Sequence, residues 1–468
     1  MEYGGDGTYL YVADRAIRRV TIIGPTMASV NFEVRSGGGN YWKSSTPDPL
    51  QVGYARLQPS AGSPQPNGMV IFSFRSQGIL VSEASVPASP LIQAGRVYAE
   101  TGGAARTGIA IANPNDSDAT ISFYFTDTSG VDFASGVTTI PAKQQIAAFL
   151  DEAPFNGTAG ARSFTFTSSV PVGAVALRGY LNERSDFLMT TLPVAPVSSS
   201  LASAAVLPHF ASGGGWTTQI LLVNPTDDPI GGTVEMDATY TYSIAPRSAA
   251  KVVSSNPGTQ TGTGFVRINP AGGSPAPVAS SVFSFVSAGV TVSESGVAAT
   301  GAGQAFRIFA EVDSAQSMQT GIAVANLGFN TALVQAELLT LDGQASGFAG
   351  LLNIPTNGHR ALFLGELPGF QNLPASFRGV LRISSNTPIS VMGMRERYNE
   401  RGDFLLSAVP AIADDASIPS GELLFPHIVT GGGYTTEFLL LNRSGGTSAG
   451  TVSLRSQSGA DLALPIIR

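Results

Sequence analysis

A short apolar pattern, Thr-x-apolar-x-apolar-x-Asn, occurs four times in the chain at intervals of roughly 110 residues. Each copy is a nearly continuous apolar run that meets a turn at its Asn, which is typical of a buried β-strand. A regular repeat of this length indicates a series of similar modules, and it constrains the fold more than any other feature. The four copies are TGIAIAN (107–113), TQILLVN (218–224), TGIAVAN (320–326) and TEFLLLN (436–442).

A second pattern, in which Gly precedes Arg by two or three residues, marks the later part of each module and precedes a predicted hairpin. Its copies are GYARL (53–57), GARSFTF (160–166), GFVRI (264–268) and GVLRI (379–383), of which the second is the loosest. Two module types alternate. One opens with Pro-His and a Gly triplet, and the other opens with RVYAE or RIFAE and ends in an NERSDF or NERGDF hairpin.

Counting these markers along the chain divides it into complete modules and two incomplete ones. The predicted segments are a strand or hairpin segment at 1–27, the C-terminal half of a module at 28–92, complete modules at 93–200, 201–302 and 303–413, and the N-terminal half of a module at 414–468.

The two incomplete segments belong to the same module type and are complementary. VSEAS (81–85) matches VSESG (292–296), and FPHIVTGGGY (425–434) matches LPHFASGGGW (207–216). The chain ends opposite YSIAPRS (242–248), which is also where VNFEVRSGG near the start aligns. The first half therefore contains the strands that the last half lacks.

Each module is predicted to be all-β. Gly and Pro are frequent, with 54 and 30 residues, and no long segment has helical periodicity. Six to eight short strands per ~100 residues favour tandem antiparallel, immunoglobulin-like β-sandwich modules. Single helical turns are expected at 150–155 and 364–370.

A half sandwich exposes apolar side chains and unpaired strand edges to water. Joining the two halves buries about six large apolar side chains, worth on the order of 10 kcal/mol. The sequence therefore predicts head-to-tail polymerisation by complementation of a split sandwich between chains. Two alternatives stay open: closure of the split module within one chain, and a chain that is a piece of a longer array. The predicted donor residues are Phe438, Leu439, Leu440, Leu441, Val452 and Leu454, and the predicted acceptor residues are Val70, Ile71, Phe72, Phe74, Ile79, Leu80 and Val81.

Composition limits the function classes. Only 13% of residues are charged, the net charge is −7, and Lys and Arg form no cluster, which disfavours nucleic acid as a partner. The chain has no Cys, which excludes disulfides and thiolate chemistry. No apolar run is long enough for a transmembrane helix. The first residues do not read as a signal peptide, so an exported form is expected to be mature, trimmed or part of a longer chain.

Four motifs suggest chemistry, and each has a plainer structural interpretation. Arg401-Gly402-Asp403 matches an adhesion tripeptide but lies in a predicted hairpin turn. GTSAG (446–450) matches a hydrolase nucleophile elbow, but no His follows it. His209 and His427 share a repeat position, and a structural role at a sheet rim fits them better than zinc. The acidic loop residues lack a recognised calcium-binding spacing, and they are Asp116, Asp118, Asp127, Asp227 and Asp228.

Two resemblances supplement this interpretation. The string GGGWTTQILLVNP (213–225) resembles strings that recur in tandem immunoglobulin-like modules of large bacterial extracellular proteins, which implies an exported scaffold role. The segment GDGTYLYVADRAIRRVTI (5–22) resembles the end of an NHL-type propeller blade.

The sequence therefore predicts a non-enzymatic structural subunit of an extracellular or cell-surface filament, whose main partner is itself and which needs no cofactor or metal. The alternative is an adhesin or carbohydrate-binding stalk within a larger surface protein, for which glycans or another cell-surface ligand are the expected partners.

Overall fold

The computed structural model describes residues 25–44, 46, 49–197, 205–415 and 421–467, together with the backbone of strands at 2–3, 10–14 and 19–23. Regular structure in these residues is β-strand apart from two 3-10 helices. No helix in this part of the chain is long and apolar enough to cross a bilayer.

The N-terminal strands pair antiparallel with one another and form a small sheet of their own. They are β1 (Glu2–Tyr3), β2 (Leu10–Asp14) and β3 (Arg19–Ile23). The next six strands form the segment called here the head, residues 25–87. They are β4 (Thr26–Met27), β5 (Ser29–Val34), β6 (Gly39–Ser44), β7 (Gln51–Pro59), β8 (Asn67–Ser76) and β9 (Ile79–Pro87).

Two modules follow the head. Module II consists of β10 (Ile92–Tyr98), β11 (Ala105–Ala112), β12 (Ala119–Thr126), β13 (Asp132–Ile140), β14 (Gln145–Phe149), β15 (Ser163–Leu181), β16 (Phe187–Leu192) and β17 (Ala195–Pro196). Module III consists of β18 (Ala205–Ser212), β19 (Trp216–Val223), β20 (Ile230–Glu235), β21 (Thr239–Ile244), β22 (Ala249–Val253), β23 (Gly262–Pro270), β24 (Val278–Ser287) and β25 (Val290–Ala298).

Module IV and the final segment complete the chain. Module IV consists of β26 (Gly303–Asp313), β27 (Met318–Asn326), β28 (Ala332–Thr340), β29 (Ala345–Ile354), β30 (His359–Phe363), β31 (Ser376–Tyr398), β32 (Phe404–Val409) and β33 (Ile412–Ala413), with 3-10 helices at Ser314–Gln316 and Leu364–Glu366. The final segment, called here the tail, contains β34 (Leu423–Thr430), β35 (Tyr434–Leu441), β36 (Ser448–Ser456) and β37 (Leu464–Ile467).

Module III shows the strand order that the other modules share. Its first, sixth, third and fourth strands form one sheet in the order β18-β23-β20-β21. Its fifth, second, seventh and eighth strands form the other sheet, β22-β19-β24-β25. An antiparallel two-sheet architecture was expected. The order differs from the ABED and CFG sheets of immunoglobulin domains. Here the first and fourth strands lie in the sheet of the third and sixth, and the seventh strand lies in the sheet of the second and fifth.

Modules II and IV have the same order, but one long strand serves both of their sheets. In module II, β15 pairs with β10 and β12 through its first half and with β11 and β16 through its second half. In module IV, β31 does the same with β26, β28, β27 and β32.

The two sheets of each module differ in burial. Strands such as β5 and β21 alternate between buried and exposed positions, so the sheet that contains them has one face in solvent. The second, seventh and eighth strands are buried on both faces, as in β19, β25 and β35. We call these the outer and inner sheets. Burial on both faces explains why the repeated pattern is a continuous apolar run and does not alternate.

Four inner-sheet strands meet about a common axis and close the modules into a ring. Their side-chain to backbone hydrogen bonds run from β9 to β16, from β16 to β25, from β25 to β32 and from β32 back to β9. The bonds are Met189 N to Ser82 Oγ (2.7 Å), Gly296 N to Thr190 Oγ1, Leu406 N to Ser293 Oγ (2.9 Å) and Ser85 Oγ to the Ala408 carbonyl.

The helical turns expected from the sequence are present in part. Leu364–Glu366 lies within the predicted turn at 364–370, whereas 150–155 contains turns and no helix. The helix at Ser314–Gln316 was not predicted. Its N-cap is Asp313, whose side chain accepts hydrogen bonds from the backbone of Ala315 and Gln316.

Candidate functional site: the seam between head and tail

Head and tail together form module I. The tail supplies the first three strand positions, β34, β35 and β36, and the head supplies the remaining five, β5 to β9. The outer sheet has the order β34-β7-β36-β5, and the inner sheet contains β6-β35-β8-β9. Strand β37 extends this sheet beside β6 and pairs with β4. We call this junction the seam.

The seam lies within one chain. The tail pairs with the head of its own chain, which is the closed geometry kept as an alternative. The predicted exchange between chains would use the same strand pairs and stays a prediction. Closure within one chain has the advantage of proximity, because tethered segments avoid the loss of translational and rotational freedom that association between chains requires.

All six predicted donor side chains lie in the seam and are at most 1% exposed. Phe438 is opposite Val70 on one side and Trp42 on the other, and its ring stacks on that of Trp42. Side chains of β35 alternate between two cores. Phe438 and Leu440 join the core of module I, with Val452 and Leu454 of β36. Leu439 and Leu441 point the other way, into the core of module IV.

The predicted acceptor residues divide between two environments. Val70 and Phe72 join the module I core, and Ile71 packs with the module IV core. Phe74 stacks on Tyr434 of the tail, with ring centroids 4.4 Å apart.

Ile79, Leu80 and Val81 lie on β9, which the tail does not cover. Leu80 and Val81 are buried and Ile79 is partly exposed. The hairpin of module IV covers this end instead, since Leu80 N donates to Glu400 Oε2 and Asn399 Nδ2 donates to the Leu80 carbonyl. The prediction missed this because it treated the module in isolation.

The repeated Thr and Asn make the same contacts in the seam as in the continuous modules. Thr436 Oγ1 donates to the Val429 carbonyl (2.6 Å), as Thr218 does to Ala211 (2.7 Å). Asn442 Nδ2 donates to the Val34 carbonyl (2.8 Å), so the tail binds the end of a head strand. The equivalent bonds in the other modules are Asn113 to Ile140, Asn224 to Ile244 and Asn326 to Ile354.

A buried cluster of charges lies where the seam meets module IV. The Arg395 guanidinium is 3.2 Å from Glu437 of the tail, 3.5 Å from Glu83 of the head and 3.6 Å from Glu311 of its own module. These four side chains are between 2% and 5% exposed. One guanidinium therefore links both ends of the chain to module IV.

Electrostatics in this cluster favour the charged forms of Glu437 and Arg395. Burial opposes ionisation of Glu437, but Arg395 and then Lys43 outweigh it and lower its pKa to about 2. Burial likewise opposes the charge of Arg395, while Glu437, Glu83 and Glu311 together raise its pKa.

The joint between modules II and III contains a related but smaller cluster. Arg178 contacts Glu100 of its own module at 2.6 Å and also Glu294 of module III. Gln219 occupies the repeat position of Glu437, so this joint has two carboxylates around its arginine where the seam has three. Burial raises the pKa of Glu294, and Arg178 offsets only part of this effect.

The side chains of the adhesion tripeptide, Arg401-Gly402-Asp403, form ion pairs with another module of the ring. Arg401 contacts Asp186 at 2.6 Å, and Arg184 contacts Asp403 at 3.0 Å, so the hairpins of modules II and IV bridge each other reciprocally. Asn399 Oδ1 accepts from the backbone of Arg401 and Asp403, which fixes the turn. The predicted hairpin interpretation accounts for these residues.

The remaining motifs have structural contacts. Ser448 of GTSAG donates to the Pro64 carbonyl (2.7 Å) and begins β36, not a helix. His209 Nδ1 lies 3.0 Å from His359 Nε2, a pair that the sequence had not brought together. Within the described residues, no group of three His, Asp or Glu side chains is placed to hold a metal ion.

Sequence reasoning missed the buried charges. The available signal was a charged residue inside an apolar strand at matched repeat positions. Glu83 and Glu294 share one such position, and Arg178 and Arg395 share another.

Comparison with known proteins gives little further information. No protein-family model and no curated protein matches the chain. Among solved structures, it is similar to the archaeal virus protein of the triple jelly roll fold and turret assembly, at 9% identity over 91% of this chain and 98% of that chain, with a TM-score of 0.14. It is also similar to the VP2 subviral particle of infectious bursal disease virus, at 10% identity over 88% and 82%, with a TM-score of 0.12. Likenesses at these scores carry no argument about fold or function.

Proposed function

We propose that the protein is a non-enzymatic structural and binding module of the extracellular space, built as a ring of four β-modules that the tail closes. The observation that supports this proposal most is the seam. The tail provides three strand positions of a module whose other five strands lie at the start of the chain.

Closure favours a rigid platform over a flexible string of domains. Each module is bonded to both neighbours near the axis, and the joints bury apolar side chains on both sides. In such a ring, one module cannot tilt without disturbing the other joints. This geometry suits a protein that presents surfaces at fixed positions, as an adhesin or a structural stalk does.

The extracellular location is proposed from composition. The surface is polar but weakly charged, with 13% charged residues, and there is no Cys to oxidise outside the cell. The repeat strings resemble those of bacterial surface proteins, which supports the same location.

A filament is the second candidate, and it is supported by the seam, which joins strands from the two ends of the chain. Because the tail strands form a separable segment, a tail exchanged between chains would make the same contacts in the neighbouring head. Such an exchange is heterologous and propagates unless it closes on itself. The filament account therefore uses the same residues as the ring account and differs only in which chain supplies them.

The mass of the protein in solution separates the two accounts. Light scattering after size exclusion should give one chain, 48.2 kDa, and electron microscopy should show compact single particles. A concentration-dependent series of oligomers, or filaments, would favour exchange. Glycan arrays with the monomer then test the adhesin role, and binding to no glycan would count against a carbohydrate ligand.

A further inference from the structure

Two equivalent cavities lie where a module with a Gly triplet meets the next module. One, of about 290 Å³, lies between modules I and II, and the other, of about 190 Å³, lies between modules III and IV. Their linings correspond through the repeat. Both are mainly apolar, and each contains a histidine at its wall, His427 in the first and His209 in the second.

Aromatic rings form much of the wall of the larger cavity. Phe72 and Tyr434 come from module I, and Phe149 and Phe187 come from module II. Rings arranged around a cavity favour an aromatic occupant, because edge and face contacts between rings add to the gain from burying apolar area. A sugar fits less well, because the few polar side chains of the lining, chiefly Glu152, Arg178 and His427, cannot pair with all of its hydroxyl groups, and unpaired buried hydroxyl groups are costly.

His427 lines this cavity and carries a hydrogen-bond donor. Gln145 Nε2 donates to the Pro426 carbonyl (2.7 Å), which fixes the orientation of the amide, and its other hydrogen faces His427 Nδ1 at 3.2 Å. Nδ1 therefore accepts, and the ring proton lies on Nε2. Burial lowers the pKa of His427 to about 4, so the ring is neutral near pH 7. Within the described part of the chain, no residue hydrogen-bonds to Nε2.

We infer that the cavity between modules I and II is a binding site for a small, flat aromatic molecule of up to two fused rings that has one acceptor oxygen for His427 Nε2. An apolar cavity of about 150 Å³ is known to bind benzene, so both cavities have room for one ring. Only the larger one should accept two.

The chain provides its own spectroscopic reporters. It has three histidines, His209, His359 and His427, and all lie at these two cavities or beside them. Imidazole signals in a ¹H–¹⁵N correlation spectrum of the full chain should therefore report which cavity is occupied.

The test uses acetophenone, which has one ring and a carbonyl, and 2-acetylnaphthalene, which has two rings. We expect 2-acetylnaphthalene to shift the His427 signals saturably below millimolar concentration and to leave those of His209 and His359 unchanged. Acetophenone should shift the signals at both cavities. Absence of a saturable shift at His427 with either probe would overturn the inference.

Matched substitutions locate the site. Ala147 and Ala361 occupy the same repeat position, one in each cavity wall. Ala147→Phe should weaken 2-acetylnaphthalene binding at least tenfold in equilibrium dialysis, whereas Ala361→Phe should leave it unchanged. Far-UV circular dichroism checks the fold of both variants, and Ala147→Leu replaces the larger substitution if that variant fails to fold. Equal binding by wild type and a folded Ala147 variant would show that the ligand does not bind in this cavity and would overturn the inference.

The role of His427 has a separate readout. His427→Phe removes the donor but retains an aromatic ring, so acetophenone should bind about fivefold more weakly, corresponding to one hydrogen bond. Ethylbenzene, which has no acceptor, should bind equally well to both proteins. Equal changes for the two probes would show that His427 donates no hydrogen bond to the ligand.

Discussion

Modules I and III have the same eight strand positions in the same order, but module III is one continuous segment and module I is assembled from both ends of the chain. Their repeated Thr and Asn residues make matching hydrogen bonds. The comparison teaches that this fold depends on which strands are present and not on how the chain connects them. The two modules differ in the joint that each makes with a neighbouring module. At the joint between modules IV and I, three carboxylates surround Arg395, and at the joint between modules II and III, two carboxylates surround Arg178.

Removal of the tail should have the largest effect. Truncation after residue 422 deletes four strands and uncovers about six large apolar side chains of the head, so module I should lose on the order of 10 kcal/mol and unfold. Hydrogen exchange should then be fast at 25–87, with protection retained in the sheets of modules II and III and lowered in module IV, whose core loses Leu439 and Leu441. Retained protection in the head would contradict a requirement for the tail.

A circular permutant is the matched control for truncation. Strand β37 pairs with β4, so a short loop can join residue 467 to residue 25, with residues 1–24 removed and new ends placed between modules II and III. The permutant makes module I continuous, like module III, and should unfold within a few degrees of the parent. A large loss of stability would mean that connectivity does matter.

Arg395 and Arg178 test the difference in buried charge. Arg395→Met leaves three buried carboxylates without their shared cation and should cost about 5 kcal/mol, whereas Arg178→Met leaves two and should cost about 3 kcal/mol. Thermal and urea unfolding measure both effects. Adding Glu437→Gln, which restores the module III residue, should recover part of the loss in the Arg395 variant. Equal losses of stability for the two arginine variants would show that the number of buried carboxylates around each arginine does not determine the effect.

Acid should weaken the joint between modules III and IV, where His209 faces His359, more than the joint between modules I and II, which contains His427 alone. Burial lowers the pKa of His209 to about 3, that of His359 to about 4 and that of His427 to about 4. The unfolded chain therefore binds more protons below about pH 6.5, so stability is full above that pH and falls towards pH 3–4, by at most about 5 kcal/mol for His209 and about 3 kcal/mol for each of the other two histidines.

His359→Gln tests the source of this difference. It gives His209 the same neighbour that His427 has, because Gln145 occupies the equivalent position beside His427. The variant should lose less stability between pH 7 and pH 4 than the parent, as measured by thermal unfolding across that range. An unchanged pH profile would show that the His209–His359 pair is not the source of acid sensitivity.

The reciprocal bridges between hairpins should contribute least. These pairs are partly exposed, so Arg401→Ala and its counterpart Arg184→Ala should each cost about 0.5–1 kcal/mol in urea unfolding. A loss well above this range in one variant alone would show that the two hairpins are not equivalent.

The sequence predicted the β class, the antiparallel strands and the match between head and tail, because these follow from local periodicity and from the repeat. It also placed Phe438 and Leu440 in a core. It kept closure within one chain as an alternative but did not predict the contacts that form the ring, because the bonds between β9, β16, β25 and β32 join residues about 100 or more positions apart and no single module contains them. Nor did it predict that Leu439 and Leu441 pack against module IV, since alternation gives the two faces of a strand but not what covers the second face.

A disulfide across the seam tests the central claim most directly. Asn31 of the head and Thr451 of the tail are opposite residues on β5 and β36. Opposite residues of an antiparallel pair have Cα atoms about 4.5–5.5 Å apart, within the range for a disulfide. The chain has no Cys of its own, so Asn31→Cys with Thr451→Cys gives a single defined link. After oxidation, a denaturing gel without reductant should show one band at the mass of a single chain, shifted by its internal loop. A ladder of covalent dimers and higher multimers that collapses on reduction would show that the seam forms between chains and would contradict the closed ring.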